Sequence, residues 1–320
     1  MLYPLTFQPI FKERVWGGRK LQDLYQKPLP PAVPIGESWE ISDRPGDISV
    51  IANGPLAGKN LHWLMQNHAP ELLGGAKTQA GRFPLLVKLL DARDKLSLQV
   101  HPPAQKAAQL GGEPKTEMWY IADAAPNAEL YVGLKRGVTR QEFEQKVRSG
   151  TVADCFHRAS VHQGDAMFLP SGRVHAIGAG LVIFEIQQNS DTTYRVFDWN
   201  RVGLDGKPRQ MHVAESLASI DFNDFEPPLV SRASQQQGHL QSRLLVNDPL
   251  FRVDAIIATC RTSMQLPSKL AIVGVVSGNI TATGGGHSVE LVKGQFCLLP
   301  AELSAELKLE ADATLLLVQV

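Results

Sequence analysis

The chain has few cysteines, no net charge and no long apolar run. Only Cys155, Cys260 and Cys297 among its 320 residues are cysteine, and no two of them form a CxxC pair. An odd number of widely spaced thiols argues against a disulfide framework and favours a reducing compartment, so we expect a cytoplasmic protein. The longest apolar runs, such as residues 270–276, are too short to span a bilayer, and the N-terminal residues lack a signal-peptide pattern.

The charge balance is even, with 32 basic and 32 acidic side chains. A neutral chain offers no general field for an anionic partner, so we expect neither nucleic acid nor a membrane surface as a partner. Any anion that it binds must be held by a local cluster of cations. The chain also lacks a Walker motif and a GxGxxG turn before a helix, which leaves nucleotide binding without support. Composition does not indicate the oligomeric state.

Helix patterns are scarce and strand patterns dominate. The sequence predicts short helices over residues 61–73, 139–150 and 212–219. A capping pattern at Thr139 opens the second of these helices, and Gly150 closes it. Short apolar segments separated by Gly, Pro and Asp predict a mainly β protein, either a sandwich or a barrel. Residues 83–90 and 96–101 flank a polar stretch that predicts a hairpin turn.

One short sequence recurs 130 residues further along the chain. GDAMFLP at residues 164–170 aligns with GQFCLLP at residues 294–300. We interpret the recurrence as two related β-barrels: residues 1–221 would hold the catalytic site, residues 222–238 a linker, and residues 239–320 the second barrel. Ala305 lies 130 residues after His175, at the position where a second histidine would recur. Alanine cannot bind a metal, so we expect no metal in the second barrel.

Three short segments carry the side chains of a candidate metal site. Alternate residues of a strand share a face, so Gln99 would share one with His101, and Lys115 one with Glu117. With His175, these segments offer two imidazoles, a carboxylate and an amide oxygen. Two histidines and a glutamate with an open position bind catalytic zinc, and the same set binds iron as a facial triad.

Further polar residues accompany the candidate ligands. A dication next to Lys115 would lower the pKa of its ammonium group, which suits it to acid–base work. Asp191 and Arg195 lie four residues apart and share a face if the segment is extended. Arg195 could then bind phosphate or stabilise an enediolate, or the two could form an ordinary surface ion pair.

Six segments, taken together and in order, resemble a known enzyme family. They are FKERVWGG at residues 11–18, GESWEIS at 36–42, LQVHP at 98–102, KTEMWY at 115–120, PSGRVHA at 170–176 and EIQQNSDTTYR at 185–195. The chain resembles the type I phosphomannose isomerases, zinc-dependent cupin enzymes, in their short bacterial form. The resemblance covers the first two-thirds of the chain and implies two cupin-type jelly-roll β-barrels with a few short helices.

The resemblance also implies residue roles. One Zn²⁺ per chain would be held by Gln99, His101, Glu117 and His175, and the catalytic residues would be Arg195, Lys115 and Asp191. The implied substrate is a small sugar phosphate: mannose 6-phosphate and fructose 6-phosphate would interconvert through a metal-stabilised cis-enediol.

The sequence leaves several alternatives open at this site. Either Lys115 or Asp191 could be the base, and Arg195 could serve either the enediolate or the phosphate. Lys88 and Arg14 are further candidates for the phosphate. The alternative functions are a cupin sugar-phosphate-binding protein without catalysis, an isomerase for a different sugar phosphate, and a cupin oxygenase that uses iron.

Overall fold

The structure, a computed structural model, describes residues 1–78 and 80–320. Within that part of the chain strands far outnumber helices, which confirms the predicted mainly β fold. None of the described helices is long and apolar enough to cross a membrane. The helices are α1 Lys20–Tyr25, α2 Leu61–Asn67, α3 Ala69–Leu73, α4 Ala104–Ala107, α5 Arg140–Ser149 and α6 Val213–Ser219, with a 3-10 turn at Val152–Cys155.

The first thirteen strands form two sheets and a small two-stranded ladder. The larger sheet has the order β1-β2-β5-β12-β7-β10, the smaller β13-β6-β11-β8-β9, and the ladder is β3-β4. Buried apolar side chains of both sheets share one cluster, so the sheets face each other as a sandwich. The strands are β1 Ile10–Gly18, β2 Ile35–Ile41, β3 Asp43–Arg44, β4 Asp47–Ile48, β5 Leu85–Ala92, β6 Leu98–Val100, β7 Glu117–Ala124, β8 Glu129–Leu134, β9 Phe156–Ser160, β10 Ala166–Leu169, β11 His175–Ile177, β12 Leu181–Gln188 and β13 Tyr194–Phe197.

The remaining strands form a second pair of sheets. Their orders are β14-β15-β16-β23-β18-β21 and β17-β22-β19-β20, and one buried apolar cluster fills the space between them. The strands are β14 Gln235–Gln237, β15 Leu240–Asn247, β16 Arg252–Ala258, β17 Thr262–Leu266, β18 Ala271–Ser277, β19 Asn279–Gly284, β20 His287–Val292, β21 Phe296–Leu299, β22 Ala305–Leu309 and β23 Thr314–Gln319. The predicted boundaries at residues 221 and 239 stay predictions.

The two pairs of sheets repeat one strand order. The recurring sequences form β10 and β21, and each of these strands lies at the same edge of its six-stranded sheet. Strands β11 and β22 begin at the same offset and occupy matching places in the smaller sheets. The predicted internal repeat is therefore confirmed by the strand order. Strand β13 is the exception, because the described second unit has no strand in the matching position.

The strand registers identify which residues of the second unit match the candidate ligands. Leu169 pairs with Glu117 in the first unit. Leu299 is the residue of the second unit that matches Leu169, and it pairs with Ala271, so Ala271 matches Glu117. His175 pairs with Gln99, whereas Ala305 pairs with Leu266. The second unit thus has buried apolar side chains at all three matching positions: Ala271, Ala305 and Leu266.

Two local predictions were wrong. Strands β5 and β6 do not form a hairpin but lie in opposite sheets, because the polar stretch between them carries the chain from one layer to the other. Residues 61–73 form two helices rather than one, with the break at His68. Pro70 explains the break, since it has no N–H to continue the first helix and is tolerated in the first turn of the second.

The helix predicted over residues 139–150 is confirmed together with its caps. The Thr139 side chain accepts a hydrogen bond from the backbone N–H of Glu142 at 3.2 Å. Gly150 ends the helix with φ of 74°, a left-handed conformation that glycine adopts without a steric cost. The helix predicted over residues 212–219 is α6, which begins one residue later.

The two pairs of sheets pack against each other through a shared apolar core. Leu5 and Leu298 exchange backbone hydrogen bonds of 2.9 and 2.8 Å, which ties the N-terminal segment to β21. Phe184 of β12 is fully buried, and its ring centroid lies 5.4 Å from that of Phe296 and 5.9 Å from that of Tyr25. Phe184 therefore joins the first unit to the second.

We expect Phe184→Ala to lower the free energy of unfolding by about 3–5 kcal/mol, because the lost ring leaves a cavity between the two units. Urea unfolding followed by fluorescence measures the change. Leu250→Ala is the matched control, since Leu250 is 39% exposed and its truncation should cost less than about 0.5 kcal/mol. Equal effects of the two substitutions would contradict the packing role of Phe184.

Candidate metal centre

The predicted ligands lie on strands that meet between the two facing sheets. Gln99 is on β6, His101 follows that strand directly, and His175 begins β11 of the same sheet. Glu117 begins β7 of the opposite sheet. The ligand atoms of His101, Glu117 and His175 lie within 4.8 Å of one another, and all three residues are buried. The fold thus brings together three side chains that are far apart in sequence.

The atoms around Glu117 are spaced as the ligands of one small metal ion would be. Its Oε1 lies 3.4 Å from His175 Nε2, and its Oε2 lies 3.5 Å from His101 Nε2. Ligand atoms bound about 2.0–2.2 Å from a tetrahedral zinc are about 3.3–3.6 Å apart. Among the described residues, His101 Nε2 and Glu117 Oε1 are buried without a hydrogen bond, and the partner of Glu117 Oε2 is Lys115 Nζ. These residues therefore fit a divalent metal.

Backbone carbonyls orient both histidines toward this centre. His101 Nδ1 lies 2.8 Å from the Thr192 carbonyl oxygen, and His175 Nδ1 lies 3.0 Å from that of Arg173. Because a carbonyl only accepts, each ring carries its proton on Nδ1 and turns the Nε2 lone pair inward. Burial and the charge of Lys115 lower the pKa of His101 to about 4, and burial lowers the pKa of His175. Both rings are neutral at pH 7 and able to bind a metal.

Gln99 reaches the centre with its amide nitrogen. Gln99 Nε2 lies 3.3 Å from His175 Nε2, while its Oε1 accepts a hydrogen bond from Ser97 Oγ at 3.2 Å. An amide nitrogen does not bind a metal, so Gln99 would have to turn its amide by half a turn to act as a ligand. Its predicted role as a metal ligand stays a prediction.

Lys115 contacts Glu117 directly, as the shared face predicts. Its Nζ lies 2.7 Å from Glu117 Oε2, and both side chains are buried. Burial lowers the pKa of Lys115, but the carboxylates of Glu117 and Glu185 outweigh burial and raise it above its usual value. The sequence predicted a lowered pKa because it considered only the charge of a metal. The protein's own carboxylates act in the opposite direction.

Asp191 and Arg195 both line the cleft that leads to the centre. The cleft has a volume of about 400 Å³, and Gln99 and Lys115 form part of its wall. Arg195 lies on β13 opposite Gln99 and donates to Ser97 Oγ at 3.3 Å and to the Gln210 carbonyl at 3.0 Å. It forms no ion pair with Asp191 in the described structure, so both side chains keep charges directed at the cleft.

Sequence reasoning missed one buried acid in this cleft. Glu185 lies on β12 and accepts a hydrogen bond from Trp119 Nε1 at 2.9 Å. Its other oxygen is 3.2 Å from Lys88 Nζ, the residue opposite it on β5. The sequence does carry a signal for this residue, because Glu185 interrupts the apolar run of residues 181–186. A charged side chain in such a run is buried, and a buried charge needs a partner.

The two cations predicted to hold phosphate, Lys88 and Arg14, also line the cleft. Lys88 is paired with Glu185. Arg14 donates two hydrogen bonds to Glu37, at 3.2 and 3.1 Å. Burial raises the pKa of Glu37, but Lys88 and Arg14 outweigh burial and bring it to about 2. Each of the two cations therefore already faces a carboxylate of the protein.

Comparisons with known proteins identify the family. Residues 5–143 match the model of the catalytic domain of type I phosphomannose isomerase. Mannose-6-phosphate isomerase ManA of Bacillus subtilis is 35% identical over 315 residues, which are 97% of this chain and 96% of ManA. The chain belongs to the type I phosphomannose isomerase family. The resemblance inferred from the six segments is therefore confirmed over nearly the whole chain.

Solved structures agree with this family assignment. The crystal structure of the mannose 6-phosphate isomerase from Bacillus subtilis covers 100% of both chains with a TM-score of 0.90 and 31% sequence identity. A zinc-bound mannose 6-phosphate isomerase shares the fold, with a TM-score of 0.75 at 16% identity over 99% of both chains. The predicted cupin-type fold is thus confirmed for this family member.

In this member of the family, a largely buried arginine contacts the loop that orients His101. Arg44 donates to the Asn189 carbonyl at 2.8 Å and lies 2.6 Å from Glu113 Oε2. The backbone N–H of Glu113 donates to Thr192 Oγ1 at 3.0 Å. Thr192 in turn supplies the carbonyl that holds the His101 ring. Arg44 therefore acts on the metal centre through the loop between β12 and β13.

We expect Arg44→Met to weaken zinc binding by about 3- to 10-fold, less than the roughly 10- to 100-fold that follows the loss of a group in direct contact with a metal ligand. Competition with a chromophoric chelator measures the zinc dissociation constant directly. Arg136→Met is the matched control, because Arg136 is 76% exposed and pairs only with Glu226. Unchanged zinc affinity in Arg44→Met would contradict the role of this loop contact.

Proposed function

We propose that this chain is an aldose–ketose isomerase that interconverts mannose 6-phosphate and fructose 6-phosphate. The observation that carries the proposal is the buried His101–Glu117–His175 set, whose ligand atoms lie within 4.8 Å of one another beside a cleft lined by Lys115, Asp191 and Arg195. Family membership supports it, since curated relatives that match nearly the whole chain are named mannose-6-phosphate isomerases.

The proposed cofactor is one Zn²⁺ per chain, held by His101, Glu117 and His175. Gln99 would join them once its amide oxygen is turned inward. Zinc bound there supplies a Lewis acid for the sugar's carbonyl and hydroxyl oxygens, which stabilises the negative charge of an enediolate. Two imidazoles and one carboxylate leave a position open for those oxygens.

The chain's own residues would move one proton between neighbouring carbons. A base takes the proton from C2, and the electron pair of that C–H bond forms the C1–C2 double bond while the C1–O1 π pair moves onto O1, which takes up a proton. The enediol then loses the O2 proton, the C2–O2 double bond forms, and the proton returns at C1. Lys115 and Asp191 both line the cleft, and both stay candidates for the base. Lys115 would first have to release a proton, because the neighbouring carboxylates raise its pKa. Arg195 is positively charged without an ion-pair partner in the described structure, which suits it to stabilise an anion in the cleft.

The proposed partner is a small sugar phosphate, and the proposed compartment is the cytoplasm. Support for the compartment comes from the three thiols, which are all free in the described structure: Cys155, Cys260 and Cys297. Two of them, Cys155 and Cys297, are buried and would be lost as packing groups if they had to form disulfides.

The zinc-loaded protein should convert mannose 6-phosphate to fructose 6-phosphate in a coupled assay and hold one zinc per chain. We expect a chelator to abolish turnover and added zinc to restore it. His175→Ala should lower kcat/KM by more than about 100-fold, since it removes a ligand rather than a group that orients one. His239→Ala is the matched control, because His239 is exposed.

Several results would count against this function. Turnover that survives both the chelator and His175→Ala would exclude a metal-dependent mechanism. Binding of mannose 6-phosphate without exchange of the C2 proton would indicate a binding protein. Faster turnover of another sugar phosphate would indicate a different isomerase, and bound iron with oxygen consumption would indicate an oxygenase.

We expect Lys115→Met to lower kcat by about 10²–10⁴-fold, the usual contribution of a positioned acid–base group. The C2 proton exchange rate, measured by NMR in deuterium oxide, separates the two candidate bases when Asp191→Asn is measured alongside. Lys135→Met is the control, because Lys135 is exposed and does not line the cleft. An unchanged kcat with bound zinc would remove Lys115 from the catalytic residues.

A further inference from the structure

The hydroxyl group of one buried serine lies between two residues of the proposed site. Ser97 lies directly before β6 and is 3% exposed. Its Oγ donates a hydrogen bond to Gln99 Oε1 at 3.2 Å and accepts one from Arg195 Nε at 3.3 Å. All three side chains line the cleft. Ser97 therefore connects a candidate metal ligand to the cation that is proposed to stabilise the enediolate.

The backbone next to Ser97 fixes the hydroxyl group in this place. The N–H of Leu96 donates to the Ile177 carbonyl of β11 at 2.9 Å, and the carbonyl of Leu96 accepts a hydrogen bond from Trp199 Nε1 at 2.7 Å. A serine has a single rotatable bond between its backbone and its Oγ, with three staggered positions. Because the neighbouring backbone is held from two sides, the Ser97 oxygen has little freedom to move.

Neutral oxygen atoms hold the guanidinium group of Arg195 at two points. Its Nε donates to Ser97 Oγ, and its Nη1 donates to the Gln210 carbonyl at 3.0 Å. Among the described residues, two of its five N–H donors thus have partners, and the other three are available to an anion in the cleft. Without the contact to Ser97, the guanidinium group would be held at Nη1 alone and could turn away from the metal centre.

A hydroxyl group suits both orientations of the Gln99 amide. In the structure the Ser97 hydroxyl donates to the amide oxygen. If Gln99 turns this oxygen toward a metal, its Nε2 faces Ser97 instead. The two lone pairs of the hydroxyl oxygen can then accept from Gln99 Nε2 and Arg195 Nε together. Ser97 therefore keeps contact with both residues in either orientation, whereas an alanine would contact neither through a hydrogen bond.

We propose that Ser97 is a positioning residue that holds the Gln99 amide and the Arg195 guanidinium group in one arrangement, and so assembles the metal ligands and the cation for the enediolate together. This inference rests on the proposed function. A residue that orients a metal ligand affects the metal affinity. A residue that orients a cation toward charge developing in the transition state affects kcat more than KM. Zinc affinity therefore reports on the contact with Gln99, and kcat reports on the contact with Arg195.

Competition with a chromophoric chelator tests the first contact without any substrate. We expect Ser97→Ala to raise the zinc dissociation constant by about 10- to 100-fold, the usual effect of losing a group in direct contact with a metal ligand. The visible absorption spectrum of the Co²⁺-loaded protein, which reports on the metal ligands, should change as well. Ser97→Thr retains the hydroxyl group and should recover the affinity. Ser97→Cys has a thiol that hydrogen-bonds weakly, so it should behave like Ser97→Ala.

Steady-state kinetics at saturating zinc tests the second contact. In Ser97→Ala, kcat for mannose 6-phosphate should fall by about 10- to 100-fold, the range expected for one hydrogen bond to a charged group. KM should stay within about threefold, because the contact matters mainly in the transition state. Ser219→Ala is the matched control and should leave kcat and zinc affinity unchanged. Ser219 is 2% exposed, its hydroxyl donates to the Glu215 carbonyl at 2.8 Å, and it does not line the cleft in the described structure.

Double-mutant cycles separate a positioning role from a general structural one. In protein that already carries Gln99→Ala, adding Ser97→Ala should leave the zinc dissociation constant unchanged. In protein that carries Arg195→Met, it should leave kcat unchanged. A structural defect would add its full effect in both backgrounds. An effect of Ser97→Ala that persists in full in either background would overturn the inference.

The proposed function and this inference fail in different ways. If the wild-type protein converts no sugar phosphate while Ser97→Ala weakens zinc binding through Gln99, the proposed function fails and the role of Ser97 at the metal ligand stands. If the wild-type protein converts mannose 6-phosphate while Ser97→Ala keeps the wild-type kcat and zinc affinity, the proposed function stands and the role of Ser97 is overturned.

Discussion

A single fully buried carboxylate, Glu117, organises the site. Its two oxygens face His101 and His175 from the opposite sheet, and Lys115 lies against one of them. A buried charge of this kind is stable only with strong partners, and removing one partner of a buried pair typically costs about 3–5 kcal/mol. The facing sheets must therefore hold cations close to Glu117. The metal centre, the lysine and the cleft that opens on them all depend on this requirement.

The second unit shows what the same strand order does without that carboxylate. Its positions matching Glu117, His175 and Gln99 hold Ala271, Ala305 and Leu266, which all belong to one buried apolar cluster. The space between the sheets is then filled by side chains, and packing alone stabilises the sandwich. In the first unit the space around Glu117 is polar, and the apolar cluster between the sheets fills the rest. Further apolar clusters lie outside that space, including the core shared with the second unit.

The sequence revealed the parts of the site that local geometry encodes. The spacing of Gln99 with His101 and of Lys115 with Glu117 reflects the two-residue period of a strand, which is set by the backbone. The predicted hairpin between β5 and β6 was wrong because the layer to which a strand belongs is not a local property. Arg209 and His212, which line the cleft, went unnoticed for a related reason: no period links residues that a loop and a helix N-terminus bring to one place.

Strand β13 connects the metal centre to the arginines that surround Asp198, Arg201 and Arg209. The described second unit has no strand in its position, so it is an addition to the shared strand order. On one side it pairs with β6, which carries Gln99, and on the other its Arg195 backbone binds that of His212. Asp198, just after the strand, anchors Arg201 and Arg209. Adding one strand to an edge therefore places Arg195 beside the metal centre and Arg209 and His212 along the same cleft.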